Sequence, residues 1–150
     1  MDNTLYNELR KKIRERVTTS QMRDSFIKTL LAGLEDEVEK QVGIEGKKVC
    51  TWGYLKDQGN FVEHEYANSS KGFDFALQII FHDAKGNVIF EHAVPFTVED
   101  RDDYMIVNCD GDSVTVEDTN FNSDVKRIPA LLDKPLREAV YAVEWNPEEM

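Results

Sequence analysis

FDFALQIIFHDAKGNVIFEHAVPFTV, residues 73–98, alternates apolar and polar side chains on either side of DAKG. Alternation with a period of two marks strands that have one buried face. Taking DAKG as a four-residue turn sets His82 opposite Asn87. The pairs Phe81–Val88, Ile79–Phe90, Phe75–Val94 and Phe73–Phe96 then follow on one side of the hairpin. A one-residue slip would turn those side chains to the opposite face, so the hydrophobic pattern itself specifies the face. Pro95, which has no N–H to donate, predicts an edge or a strand end.

A second hairpin follows within residues 98–118. Asp110-Gly111 suits a two-residue turn in which both positions need positive φ. It predicts the pairs Val107–Val114, Met105–Val116 and, on the other side, Ile106–Thr115. A third hairpin joins 48–56 to 60–67 through DQG, grouping Cys50, Trp52 and Tyr54 with Val62, His64 and Tyr66.

Outside this region the period changes to that of helices. Leu5, Leu9, Ile13 and Val17 recur every four residues, as do Met22, Phe26, Leu30, Leu34, Val38 and Val42. TTS at 18–20 supplies an N-cap between the two stripes, and Gly43 a stop. Arg10, Lys11, Lys12, Arg14 and Arg16 make the first helix basic. At the other end, Ile128, Leu131, Leu132, Leu136, Ala139, Val140 and Val143 have helical spacing. Asp133 is the expected N-cap there, with Pro135 in the first turn. Residues 119–127 read as a connecting loop and NPEEM as a frayed tail.

One domain over 1–150 is therefore expected, of class α+β. It has a helical segment at 1–43, a roughly six-stranded antiparallel meander sheet at 47–118, and a C-terminal helix at 128–145 packed on one face. The element order is similar to helix-grip folds, a likeness of fold that carries no function. No family is recognised.

The 150 residues carry a net charge of −11. Residues 1–48 hold 10 basic and 9 acidic side chains, whereas 49–150 hold 8 and 20. That imbalance disfavours direct nucleic-acid binding and anionic membranes, and favours a basic partner protein. No apolar run reaches the length of a membrane span. With no apolar leader and two isolated cysteines, Cys50 and Cys109, a cytoplasmic protein with reduced, buried thiols is expected.

The densest charge lies in VEDRDDYMIVNCDGDSVTVED, residues 98–118, with eight carboxylates and one basic residue. An EF-hand match with Gly111 at the loop glycine would set Ile106 where the first carboxylate is required, so calcium is not expected. A catalytic carboxylate pair needs a concave, partly dry site, whereas these acids fall at turns and strand ends. GIEGKK at 43–48 lacks the spacing and the Ser or Thr of a phosphate-binding loop. A Cys50–His64 nucleophile pair lacks an orienting acid, because Glu63 and Glu65 project to the other face of the strand. His82 and His92 fall on opposite faces of their hairpin.

The expectation is a small acidic, non-catalytic binding protein of inhibitor, adaptor or immunity type. Glu99, Asp100, Asp102, Asp103, Asp110, Asp112, Glu117 and Asp118 would meet a basic surface, where the cluster could imitate nucleic-acid phosphate. An alternative is a small-molecule-binding protein or enzyme with a pocket between sheet and helices, lined by Trp52, Tyr54, His64 and Tyr66. A third is a structural subunit that forms homo-oligomers through its N-terminal helices. No metal or cofactor is expected.

Overall fold

The computed structural model describes residues 3–16, 20–42, 48–69, 71–101 and 104–143. Residues 17–19, 43–47, 102–103 and 144–150, with Thr18 and Thr19 of the expected helix cap, the helix stop, most of the linker, two acids, the end of the expected C-terminal helix and the tail, lie outside them. The elements run α1 (Asn3–Arg16), α2 (Ser20–Val42), β1 (Cys50–Leu55), β2 (Phe61–Glu63), β3 (Ala67–Asn68), β4 (Gly72–His82) and β5 (Val88–Asp100). They continue through β6 (Tyr104–Cys109), β7 (Asp112–Glu117), α3 (Phe121–Val125) and α4 (Asp133–Ala142). The fold is α+β, with one antiparallel sheet ordered β2-β1-β4-β5-β6-β7 and β3 paired to β4.

The sheet departs from a simple meander at one place. β1 lies between β2 and β4, so the first hairpin joins the rest through its first strand. Gly53 makes this approach possible, because a Cβ there would strike the carbonyl of Val62 and sit 2.6 Å from the Phe61 ring.

Alternation along β4–β7 gives the sheet two faces. Phe73, Phe75 and Leu77 of β4, Val94 and Phe96 of β5, and Met105 of β6 point inward and are buried. The Phe75 and Phe96 rings stack with centroids 4.9 Å apart. α2 lies on this face through Ile27, Leu30, Leu31, Leu34 and Val38. Its buried side thus includes Ile27 and Leu31 beyond the expected stripe.

The β6–β7 register is as expected, with Val107 opposite Val114 and Met105 opposite Val116. Asp110 and Gly111 have φ of 49° and 87°, as the tight turn requires. The β4–β5 register differs from expectation by two residues. Asp83 donates its N–H to the Asn87 carbonyl at 2.8 Å, so the loop spans five residues and His82 meets Val88. A bulge between Phe81 and His82 adds a second shift, giving Phe81–Phe90, Ile79–His92, Phe75–Phe96 and Phe73–Val98. Two shifts of one restore the parity, so the same side chains still face inward. Pro95 lies in mid-strand, opposite Ala76, where β5 has not yet met β6.

Residues 119–127 are not an open loop. A 3-10 turn at Asp118–Asn120 leads into α3, and Val125 and Phe121 pack on the core. Buried Asp124 holds the segment, accepting from the Glu117 N–H at 2.9 Å and the Asn120 side-chain amide at 3.1 Å. The C-terminal helix is also divided, into a 3-10 turn at Ile128–Leu132 and α4. Asp133 is the first residue of α4, not its cap, and pairs with Arg137 one turn on. No described helix is long and apolar enough to cross a membrane.

Candidate functional site

The helices cover one face of the sheet, and the other carries the odd residues of β5 and β7 and the even residues of β4 and β6. Cross-strand rows on this outer face read Asp74–Thr97–Asn108–Ser113, Glu99–Ile106–Thr115 and Tyr104–Glu117. Glu91 extends it along β5, opposite Ile80. Strands β4, β5, β6 and β7 contain no lysine or arginine. The face is therefore a half-apolar surface, with Ile106 and 39% exposed Tyr104 among Asp74, Glu91, Glu99 and Glu117.

The structure separates the acids that are adjacent in sequence. Asp110 and Asp112 flank the β6–β7 turn, while Glu99, Asp100 and Glu117 lie at the other end of the hairpin, roughly 17 Å away along six-residue strands. Lys134 of α4 approaches the turn group, with its Nζ 3.9 Å from the Asp110 carboxylate and 3.2 Å from the Asp110 carbonyl. At the opposite end Arg101, just beyond β5, lies 3.8 Å from Glu99. Both contacts are exposed and contribute little by themselves. Asp102 and Asp103 lie outside the described residues, as does the side chain of Asp118. Asp74 and Glu91, which the sequence reading did not include, join the face from β4 and β5. Only the cross-strand register reveals their membership.

The turn also explains the partial calcium-loop match: Asn108, Asp110, Gly111 and Glu117 belong to a tight hairpin between two strands.

Of the aromatic group, Trp52 is a core residue at 5% exposure, and Tyr66 packs edge-on against Phe73 with centroids 5.8 Å apart. His64 is exposed, at positive φ, with its ring 5.2 Å from that of Trp52. Tyr54 is half-buried at the end of β1. Cys50 is fully buried, and its burial, with Glu35 and Glu39 nearby, pushes the thiol up to about 12. Such a thiol stays protonated at neutral pH and is a poor nucleophile. Burial and the flanking Asp110 and Asp112 likewise raise Cys109 to about 11.

A cavity between sheet and helices does exist, but other residues line it. Its volume is about 620 Å³, and Val49, Ile79, Phe81, Leu132, Leu136 and Val140 form its apolar wall. Arg137, already paired with Asp133 at 3.0 Å, stands at this cavity with His82 and Gln41. His92 belongs to a smaller cavity of about 370 Å³ on the other side of α4. The two hairpin histidines therefore share no site. Among the described residues no group of three or more His, Cys, Asp or Glu is placed to hold a metal ion.

No protein-family model, no curated protein and no solved structure matches the chain.

Proposed function

We propose that the protein is a small acidic, non-catalytic binding protein whose outer sheet face engages a basic surface on a partner protein. One observation carries the reading: four consecutive strands bear Asp74, Glu91, Glu99 and Glu117 on that face and contain no lysine or arginine. Exposed opposite charges speed encounter and select partners, while apolar centres such as Tyr104 and Ile106 supply contact area. A nucleic-acid enzyme with a basic groove is the concrete partner class this charge fits, in keeping with an inhibitor, adaptor or immunity role.

The test is affinity capture from source-cell lysate, with wild type beside an Asp74→Asn, Glu99→Gln, Glu117→Gln variant. A basic protein held by wild type, eluted by salt and missed by the variant supports the reading. Equal capture by both baits, or none by wild type, overturns it.

A second reading rests on the cavity of about 620 Å³ beside α4. That volume lies within the range of small-molecule sites, and the apolar wall suits an apolar ligand. Leu136→Trp would fill it. The reading requires an apolar ligand that raises the melting temperature of wild type and leaves that of the filled variant unchanged.

A further inference from the structure

The first helix is docked with its apolar side outward. Leu5, Tyr6, Leu9 and Ile13 are 63%, 51%, 51% and 46% exposed, although their spacing puts them on one strip of α1. The side that meets the protein is polar. Arg10 is 8% exposed and lies over the Phe121 ring, 4.5 Å from its centroid, and Asn7 is half-buried nearby. A helix held by a cation–π contact while its leucines face water keeps a contiguous apolar strip available for burial elsewhere.

Charge identifies what covers it. Residues 3–16 contain five basic and two acidic side chains, and Lys11 and Lys12 are exposed on α1. Two such helices set face to face would bring like charges together. The outer face of β4–β7 offers the complement, with carboxylates at Asp74, Glu91, Glu99 and Glu117 around Ile106 and Tyr104. Dimensions agree as well. A 14-residue helix is about 21 Å long, and four strands spaced about 4.8 Å apart span roughly 14–19 Å.

We propose that α1 of one copy docks on the outer sheet face of a second copy. The inference rests on the reading of that face as a docking surface, and it names a resident occupant that a foreign basic partner would displace. Two different surfaces meet, so the contact is head-to-tail, and a dimer retains one free helix and one free face.

Sedimentation equilibrium across a wide concentration range tests this with three proteins. They are wild type, Leu9→Glu with Ile13→Glu, and Glu99→Lys with Glu117→Lys. All four positions are on the surface of the fold, and circular dichroism checks that each variant is folded. Wild type is expected to gain mass with concentration at low salt and to lose it as salt rises. Each variant alone is expected to associate at least about tenfold more weakly. An equimolar mixture of the two variants is expected to recover a 1:1 dimer, because one supplies an intact face and the other an intact helix.

A wild type that stays monomeric overturns the proposal. So does a sheet-face variant that associates like wild type, or a mixture that recovers nothing. The helix variant keeps the outer face whole, which separates this outcome from that of partner binding. If it still captures a basic protein while wild type does not self-associate, only self-association fails. If wild type self-associates as described but captures no basic protein, only the foreign partner fails.

Discussion

Glu35 of α2 accepts the backbone N–H of Trp52 in β1 at 2.9 Å, and it is 8% exposed. One turn further, Glu39 accepts the N–H groups of Val49 and Cys50, both at 2.7 Å. β2 pairs with β1 only from Gly53 onward, so these carboxylates serve N–H groups at the start of β1 that β2 does not reach. Lys48 in turn pairs with Glu35. Two carboxylates of α2 thus hold that helix to the sheet.

Glu35→Ala is expected to lower stability by about 2–3 kcal/mol, since it strands a buried N–H and removes the partner of Lys48. Glu35→Gln keeps an acceptor and should cost less. Urea denaturation measures both. A loss under about 0.5 kcal/mol for the alanine variant would show that the contact does not hold α2 in place.

The buried thiols predict an alkaline limit to stability. Cys50 rises from 9.0 to about 12, first through burial and then through Glu35 and Glu39. The unfolded chain therefore gives up this proton first as pH increases. The contribution is complete below about pH 9 and is lost as pH climbs toward 12, at about 1.4 kcal/mol per pH unit. Comparing wild type with Cys50→Ala between pH 8 and about 11 should show a shallower decline in the variant. Parallel curves would contradict it. A thiol reagent should also modify native protein near pH 8 far more slowly than unfolded protein.

Asp83 predicts the opposite pH sense at the tip of the β4–β5 hairpin. Its carboxylate accepts the Lys85 and Asn87 N–H groups, both at 2.9 Å, and the Asn87 contact first, then Lys85, holds its pKa below the ordinary 3.8. The ordering this carboxylate gives the loop is present above about pH 4 and is lost as pH falls through the depressed value. Amide-exchange protection of Asn87 should fall in that window, and Asp83→Ala should abolish it at neutral pH. Protection in the variant equal to wild type would show that the loop needs no carboxylate.

Arg10→Ala is expected to loosen α1 by about 1 kcal/mol through lost packing on Phe121 and lost cation–π attraction. Limited proteolysis within residues 3–16 should accelerate, while the core residues keep their exchange protection. Unchanged cleavage would mean that other contacts hold the helix.

How far the sequence could be read depended on what fixes each feature. Asp110-Gly111 admits essentially one tight turn, so every pair of β6–β7 followed from it. DAKG admits several closures, and the Asp83 carboxylate selects a five-residue loop that, together with the bulge between Phe81 and His82, moves β4–β5 by two. Alternation survived that shift, which is why the inward face of β4–β5 was legible and its pairs were not. Periodicity revealed the α1 strip but not its direction, because period does not tell which side meets the protein. Arg10 against Phe121 decides that, across more than a hundred residues. The acidic run at 98–118 was plain in sequence, yet pairing divides it between two ends of a hairpin and recruits Asp74 and Glu91 from other strands. The aromatic residues of the first hairpin gave no comparable guide, since Trp52 belongs to the core and the larger cavity opens beside α4.

Binding to a basic partner should depend on where the carboxylates are, beyond how many there are. The most direct measurement is the affinity of a captured basic protein for two variants with equal loss of charge. One neutralises the outer face with Asp74→Asn, Glu99→Gln and Glu117→Gln, and the other neutralises exposed acids elsewhere with Asp36→Asn, Asp57→Asn and Glu138→Gln. The face variant should bind at least about tenfold more weakly, with a flatter salt dependence, while the control stays within about twofold of wild type. Equal weakening of both, or of neither, would contradict a docking surface on the outer face of the sheet.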